Sequence, residues 1–352
     1  MKIKAIAALF LQLIAALAAT SAWGADFTLR IGAGHPPTLA YLQVADNFFI
    51  PEVTARAKKA GYDVRFIRAY SGTIAKVDGI VDAVQKGQLD IGLAATTFDT
   101  ERGALFNMSY NVPFMVSDYL LQQRVASRML REVPELRDSM KPYKIHVLSL
   151  AVFEEMGVIS KTEISSLADL KWKKVGLSNS NAAMMAAVGA TPVTMGGGEF
   201  YTAMQNGLLD GAIFFVSGYE SFKLSEISKF YIRPVRAANI GLVAYMNTDT
   251  RQRLPKALVD IIDQTAEESA LKTTELSMRR NEEATAKAKQ LGVKITTLSP
   301  SDQKAWMEAL KDFPAAEAKR QSANGLPGTK VMKAYIRMLN EEGFKLPITY
   351  PL

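Results

Sequence analysis

One short pattern occurs twice in the chain, and it constrains the possible folds more than any other feature. The first copy covers residues 85–92, QKGQLDIG, and the second covers residues 205–211, QNGLLDG, about a hundred residues further on. In each copy a glycine stands where a helix would end in a left-handed residue, and Leu-Asp then leads into a strand. Two such units predict two similar α/β lobes whose strands end at a shared cleft.

Apolar residues with helical spacing precede or surround both glycines. They are Ile80, Val81 and Val84 in the first copy and Tyr201, Met204 and Leu208 in the second. This spacing predicts that each copy contains a helix with one buried face. A short helix that stops at glycine before a strand is common, so the prediction of two lobes depends on both copies together.

The composition favours a two-domain protein that is exported. The chain has 352 residues, of which 48% are hydrophobic, and it has no cysteine and two histidines. This is enough material for two packed cores without disulfides. Residues 1–24 are predicted to be a cleaved signal peptide, with Lys2 and Lys4 before the apolar run 5–19 and a small-x-small site at 22–24.

No later stretch approaches about 18 consecutive apolar residues, so we expect the mature chain to be soluble, periplasmic and not inserted in a membrane. The formal net charge is +7, but lysines and arginines are interspersed with acidic residues. We therefore expect no nucleic-acid partner. The pair 279–280, Arg-Arg, lies beside two glutamates at 282–283 and is predicted to belong to a solvated helix face. A monomer is expected.

Alternating strand and helix patterns run through both halves of the chain. Strands are predicted at 27–32, 62–69, 90–95, 144–150, around 175, and at 240–246. Helices are predicted at 39–60, 181–188, 255–291, near 301 and at 331–339, and Ser71 is predicted to be the N-cap of another. The helix at 255–291 would be roughly 55 Å long, which is enough to brace both lobes.

The sequence contains little that suggests enzyme chemistry. It has no G-x-S-x-G and no H-E-x-x-H, and two isolated histidines do not form a nucleophile–base pair or a zinc site. We therefore predict no catalytic residue, no metal and no cofactor. Three glycines at 196–198 precede a helix but lack dinucleotide-binding spacing, so they are interpreted as a tight loop.

Five motifs together resemble the periplasmic solute-binding proteins of TRAP (tripartite ATP-independent periplasmic) transporters over nearly the whole mature chain. The motifs lie at 84–90, 112–114, 167–171, 189–192 and 201–211. The resemblance implies an α/β type II periplasmic-binding-protein fold, with two lobes joined by crossing strands. It also implies capture of a small organic molecule and its delivery to a small and a large membrane subunit.

The lobe boundaries follow from the predicted strand crossings near Val152 and Ile240. We expect lobe I to contain residues 25–151 and about 241–270. Lobe II would contain residues 152–240 and about 271–352, including the C-terminal helices. Hinge motion at the crossings would then close the lobes over the ligand.

The sequence departs from the family pattern where the ligand would bind. Gly176 stands where the family typically places an arginine that binds the ligand carboxylate, and Met156 falls at or near a second basic position. An apolar run at 212–215 replaces a polar one. A buried carboxylate without a cation costs several kcal/mol, so we expect no ordinary dicarboxylate. Gly176 is expected to open volume for an atypical ligand, such as an aromatic or bulky organic acid.

Candidate ligand-binding residues fall into three groups. The aromatic candidates are Phe98, Phe153, Phe214, Phe215 and Tyr219, for which plain core packing is the alternative. The charged candidates are Lys76 as a replacement cation, and Glu154 and Glu155 as acceptors for an amine or a hydroxyl-rich ligand, with exposed positions as the alternative. The remaining candidates are His35, Tyr70, Ser71, Asp99, Met156, Gly176 and Ser178.

These interpretations disagree about the charge of the ligand, and the sequence leaves that open. Two other function classes also stay open at this point. One is a periplasmic ligand-sensing module that docks a receptor, and the other is a periplasmic enzyme of unknown type.

Overall fold

The computed structural model describes residues 25–112, 116–177, 182–236 and 238–352. The predicted signal peptide at 1–24 and the candidate Ser178 lie outside these residues. The strands are Ala25–Gly32 (β1), Tyr62–Ala69 (β2), Ile91–Ala95 (β3), Ile145–Phe153 (β4), Met156–Ser160 (β5), Lys174–Leu177 (β6), Thr191–Thr194 (β7), Gly211–Phe214 (β8), Phe230–Arg236 (β9), Asn239–Asn247 (β10) and Lys294–Thr296 (β11).

Thirteen α-helices are present in the described residues. They are Ala40–Val44 (α1), Ile50–Lys59 (α2), Ile80–Gln85 (α3), Tyr119–Glu132 (α4), Pro134–Arg137 (α5), Ala182–Ala186 (α6), Phe200–Gln205 (α7), Gly218–Ser221 (α8), Thr248–Arg253 (α9), Lys256–Gln290 (α10), Pro300–Ala309 (α11), Phe313–Ala323 (α12) and Gly328–Glu341 (α13). A π-helical turn, Ala45–Phe49, joins α1 to α2. The predicted helix at 39–60 is thus present, but the sequence pattern did not indicate the π-helical turn within it.

Within the described residues the strands form two mixed sheets. Sheet I has the order β2-β1-β3-β10-β4 and sheet II has the order β11-β9-β5-β8-β6-β7. The chain passes from sheet I to sheet II between β4 and β5, and it returns between β9 and β10. This confirms the predicted α/β fold of two lobes joined by crossing strands.

The strand directions place one edge of each sheet at the crossings. In sheet I, β3 is parallel to β1, and β10 is antiparallel to both β3 and β4. The carboxyl ends of β1, β3 and β4 therefore lie at one edge. In sheet II, β6 is parallel to β8 and β5 is antiparallel to β8, so the ends of β6 and β8 meet the start of β5. The loops at these edges are where a ligand would bind.

The repeated pattern has the same structural role in both sheets. Gly87 and Gly207 have φ values of 66° and 76°, which confirms the left-handed helix ends. In the first copy an Asp90 carboxylate oxygen accepts the Arg30 backbone N–H at 2.7 Å, and in the second Asp210 accepts the Lys174 backbone N–H at 2.8 Å. Each aspartate therefore anchors the adjacent parallel strand.

The two copies differ in their buried faces. Ile80, Val81 and Val84 are buried as predicted, whereas Leu208 is 52% exposed. The second helix ends at Gln205, before Leu208, and buries Phe200 and Met204. The prediction for Leu208 was wrong because helical spacing was extended past the glycine that ends the helix.

The prediction that Ser71 caps a helix was also wrong. Ser71 has a φ of 57°, and its backbone N–H donates to the His35 carbonyl at 3.0 Å. It therefore belongs to a turn that ties the end of β2 to the loop after β1. Helix α3 begins nine residues later, at Ile80, with Gly79 as its N-cap.

Helix α10 spans both sheets, as its predicted length required. Its N-terminal half buries Leu258 and Ile262 in the core below sheet I, while Ala288, near its end, lies in the core of sheet II. At the middle, the Thr274 hydroxyl oxygen accepts the Val152 N–H at 3.0 Å. The pairing of β10 with β4 changes register beside Val152. The Val152 N–H therefore bonds to the Thr274 side chain of the helix.

The C-terminal helices contact different parts of the molecule. The indole Nε1 of Trp306 in α11 donates to the Met184 carbonyl at 2.9 Å, on the sheet II side. Helix α13 instead packs against α4, where the Gln122 amide donates to the Tyr335 hydroxyl at 2.7 Å. An amphipathic pattern predicts a buried face but not the partner of that face, so the assignment of 271–352 to lobe II stays a prediction.

Candidate functional site

Two adjacent glutamates form the connection between β4 and β5. Glu154 and Glu155 are 8% and 3% exposed, although carboxylates are rarely buried without a specific partner. Burial raises the pKa of both carboxyls. The structure thus places both candidates inside the molecule at the crossing and excludes the alternative of surface positions.

Glu155 is held by groups from three other elements. The Arg233 guanidinium in β9 lies 2.9 Å from a Glu155 carboxylate oxygen, and the Asn281 side chain in α10 donates a further hydrogen bond. The Glu155 backbone N–H donates to the Tyr119 hydroxyl in α4 at 3.0 Å. We call Glu155, Arg233 and Asn281 the paired side of the crossing, since its carboxylate has a cation at ion-pair distance.

Glu154 has far fewer partners. Its carboxylate accepts a hydrogen bond from the Ser217 hydroxyl at 3.3 Å, and Ser217 follows the carboxyl end of β8. Among the described residues no cation forms an ion pair with Glu154, although the nearby charge of Arg280 lowers its pKa against the larger effect of burial. Because its carboxylate retains unused acceptor positions, Glu154 can bind a donor from a ligand.

Two phenylalanines connect the sheets next to Glu154. The ring centroids of Phe153, at the end of β4, and Phe215, after β8, are 4.9 Å apart in an edge-to-face arrangement. Both side chains are half-buried. Phe153, Glu154, Phe215 and Ser217 are defined here as the crossing site, and they offer an apolar wall beside a carboxylate.

His35 and Phe98 lie at the same edge of sheet I as Phe153. Their rings are 5.4 Å apart, and His35 Nδ1 lies 2.9 Å from the Tyr41 hydroxyl. Tyr41 shares an apolar cluster with Phe153. Burial lowers the pKa of His35, so a neutral imidazole is favoured. Phe98 is 45% exposed, so part of its ring is accessible. We call His35 and Phe98 the rim of sheet I.

Lys76 is exposed and lies in the loop before α3. This loop packs tightly on the end of β1, because a Cβ on Gly34 would approach the Val77 nitrogen to 2.3 Å. Lys76 is thus close to the rim formed by His35. The prediction that Lys76 lies in the first turns of a helix beginning at Ser71 was wrong, because Lys76 lies in a loop.

Other candidates have structural partners. The Tyr70 hydroxyl donates to Asp46 at 3.1 Å, and Asp99 forms an ion pair with Arg102 at 2.8 Å. Tyr219 is 1% exposed and packs in the core of sheet II, where Phe214 also lies against Phe200. Met156 begins β5 and is half-buried. None of these side chains is included in the crossing site.

The expectation that Gly176 opens volume was wrong. A Cβ at this position would lie 2.5 Å from a Leu209 methyl and 2.9 Å from the Phe200 ring. The space beside Gly176 is therefore filled by the side chains that the second repeat buries. An arginine at this position would require both neighbours to move.

Sequence analysis missed two residues of this region, Ser217 in the crossing site and Arg280 in α10. The Arg280 guanidinium donates to the Thr38 carbonyl at 2.9 Å and to the Gln43 side-chain oxygen at 2.6 Å, which ties α10 to the segment after β1. The prediction of a solvated face was thus wrong for Arg280, while Arg279 is exposed. Its acidic neighbours in sequence suggested surface pairing, and no local pattern indicates contacts with residues some 240 positions away.

The part of the chain that the structure describes contains no helix long and apolar enough to cross a membrane. It also contains no cluster of acidic residues and histidines that could hold a metal ion.

Known proteins resemble the chain in both sequence and structure. A curated relative, the monocarboxylate 2-oxoacid-binding periplasmic protein all3028 of Nostoc sp., is 25% identical over 251 residues, which is 69% of this chain and 67% of the relative. A TRAP periplasmic solute-binding protein from Desulfovibrio salexigens superimposes with a TM-score of 0.80 at 19% identity, covering 92% of this chain and 99% of that one.

DctP7, a Bordetella pertussis extracytoplasmic solute receptor crystallised with pyroglutamic acid, superimposes with a TM-score of 0.71 at 21% identity. It covers 88% of this chain and 99% of its own. At these identities the superpositions establish the fold. The family model of the bacterial extracellular solute-binding proteins, family 7, matches residues 57–320, which is well over half of the sequence. The chain therefore belongs to the bacterial extracellular solute-binding protein family 7.

Proposed function

We propose that this protein captures a small organic acid between its two sheets in the periplasm and delivers it to the small and large membrane subunits of a TRAP-type transporter. It binds the acid without chemical turnover. The observation that carries the proposal is the crossing site, where Phe153 and Glu154 of one strand end meet Phe215 and Ser217 of the other sheet.

A ligand at the crossing site would contact both sheets at once. Phe153 belongs to β4 in sheet I, whereas Phe215 and Ser217 follow β8 in sheet II. A ligand that lies against residues of both sheets favours the closed arrangement by its additional contacts in that state. We take the hinges to be the connections from β4 to β5 and from β9 to β10, where the chain changes sheet.

The relatives support an acid as the ligand. One is named for binding monocarboxylate 2-oxoacids, and another was crystallised with pyroglutamic acid. Two observations argue against a ligand with two carboxylates. The space beside Gly176 is filled and offers no cation there, and a carboxylate near the buried Glu154 would be repelled by it. We therefore propose a monocarboxylate with an apolar or aromatic part.

The proposal is tested by a thermal-shift screen of the purified mature protein with monocarboxylates, C4-dicarboxylates, amines and neutral compounds. A ligand at about a hundred times its Kd should stabilise the folded state by about 2.7 kcal/mol. We expect a monocarboxylate to give the largest shift and to reduce the radius of gyration measured by small-angle X-ray scattering.

Delivery is tested by uptake of the labelled hit into proteoliposomes that contain a small and a large TRAP membrane subunit. Uptake should require the binding protein and an ion gradient. Chemical conversion of the hit by the purified protein would refute a pure binding function, and ligand-independent scattering would refute closure.

A further inference from the structure

The charge of Arg280 is not neutralised by any carboxylate at ion-pair distance among the described residues. Its two hydrogen bonds go to neutral oxygens, the Thr38 carbonyl and the Gln43 side chain. The side chain is half-buried. A guanidinium has five N–H donors in a planar fork, so two bonds leave further donors for an anion.

Arg280 lies between the rim of sheet I and the crossing site. Thr38 is three residues from His35, and Gln43 is in the same helix as Tyr41, which contacts His35. On its other side, helix α10 packs on the crossing, since Thr274 accepts the backbone N–H of Val152, two residues before Glu154. The positive charge of Arg280 partly offsets the rise in the pKa of Glu154 that burial causes. Arg280 and Glu154 are thus electrostatic neighbours that do not form an ion pair with each other.

Such an arrangement suits a ligand that carries an acceptor and a donor close together. A carboxylate can bind the free donors of Arg280 in a charge-assisted interaction. The buried Glu154 repels that same carboxylate unless a donor group of the ligand lies against it. The half-buried rings of Phe153 and Phe215 are apolar surface for the remainder of the molecule.

We infer that Arg280 binds the ligand carboxylate and that Glu154 accepts a hydrogen bond from an amino or hydroxyl group next to it. The preferred ligand is then an α-amino or α-hydroxy acid with an apolar side group. This inference rests on the proposed function and assigns the specificity of its binding site. Arg280 replaces the cation that position 176 lacks, and it approaches from helix α10 instead of from sheet II.

The test uses four probes that share one phenyl skeleton: phenylalanine, phenyllactate, 3-phenylpropionate and 2-phenylethylamine. Binding is measured by isothermal titration calorimetry with the purified mature protein. At least one of the two donor-bearing acids should bind about tenfold more tightly than 3-phenylpropionate, which lacks the donor, and than 2-phenylethylamine, which lacks the carboxylate.

Variants separate the two contacts. Arg280→Gln should weaken the donor-bearing acid about tenfold or more, and Arg280→Lys should restore part of that loss. Arg279→Gln is the matched control, because Arg279 is the exposed neighbour on the same helix, and it should leave affinity within about twofold. Glu154→Gln should weaken phenylalanine while leaving 3-phenylpropionate within about twofold. Circular dichroism melts confirm that each variant is folded.

Equal affinity for all three acids, or equal effects of Arg279→Gln and Arg280→Gln, would refute the inference. Failure of all four probes would refute the ligand class. If a different compound from the broad screen still closes the lobes in that case, the proposed binding function stands. If nothing in the screen stabilises the protein or closes it, the proposed function fails as well.

Discussion

The two sides of the strand crossing contain the same residue type in opposite situations. Glu155, on the paired side, has the Arg233 guanidinium at 2.9 Å and a hydrogen bond from Asn281. Glu154 has one hydroxyl contact, and Arg280 is near but not paired with it. A buried carboxylate with a resident cation maintains the structure, whereas one that still has free acceptor positions can bind a ligand. The comparison therefore assigns different roles to adjacent residues.

The largest expected effect comes from removing the cation of the paired side. Arg233→Ala leaves Glu155 buried without its ion pair, and we expect the free energy of unfolding to fall by about 3 kcal/mol at pH 7. Arg280→Ala should cost less, about 2 kcal/mol, because it loses two hydrogen bonds to neutral acceptors but breaks no buried ion pair. Urea unfolding measures both values. Equal losses would mean that the two sides do not differ.

A smaller loss is expected from adding atoms at position 176. Gly176→Ala places a Cβ 2.5 Å from Leu209 and should destabilise the protein by about 1–3 kcal/mol. Gly198→Ala is the control, since a Cβ there meets no atom within 4 Å. Urea unfolding should separate the two variants. A Gly176→Ala variant with unchanged free energy of unfolding would mean that the space beside this strand can accept further atoms, and therefore part of a ligand.

The pH dependence of stability tests Glu154 in the crossing site. Burial raises the pKa of Glu154 above its ordinary 4.5, so the folded state binds this proton more tightly than the unfolded state does. Its contribution to stability is thus greatest below pH 4.5 and falls as the pH rises through the folded-state pKa. Glu154→Gln removes this loss, so it should raise the melting temperature more at pH 7.5 than at pH 4.

Thermal melts of wild type and Glu154→Gln across that range provide the measurement. Ser217→Ala is a useful companion variant, because losing its hydrogen bond should raise the pKa of Glu154 further and steepen the pH dependence. A melting-temperature difference that does not change with pH would show that Glu154 remains ionised as readily in the folded protein as in the unfolded chain.

The smallest effect is expected at the rim. Lys76 is exposed, so Lys76→Ala should change neither the stability nor the affinity for a monocarboxylate by more than about 0.5 kcal/mol. Calorimetric titration beside Arg280→Gln makes the comparison direct. A tenfold loss of affinity in Lys76→Ala would assign the ligand carboxylate to Lys76 instead of Arg280.

Local sequence patterns predicted the fold well because they act over a few residues. Gly87 and Gly207 end helices as their pattern indicates, and helix α10 has the length that its sequence predicts. Predictions failed where the outcome depends on tertiary packing. The turn at Ser71 depends on a hydrogen bond to the His35 carbonyl, which is distant in sequence and which no local pattern indicates.

The site was only partly predictable for the same reason. Glu154 and Phe153 could be found because they follow a predicted strand, and strand ends meet at a common edge. Gly176 was misjudged because a glycine in sequence looks like empty space, whereas Leu209 and Phe200 fill it. Arg280 could not be found, since its partners Thr38 and Gln43 are distant in sequence and neutral.

The most direct measurement is a crystal structure of the protein with the tightest-binding acid from the calorimetric series. The ligand carboxylate should lie within hydrogen-bonding distance of Arg280, its amino or hydroxyl group should contact Glu154, and Glu155 should remain paired with Arg233. A ligand carboxylate bound to Lys76 or near Gly176, or a ligand that displaces Arg233 from Glu155, would contradict the assignment of the two sides.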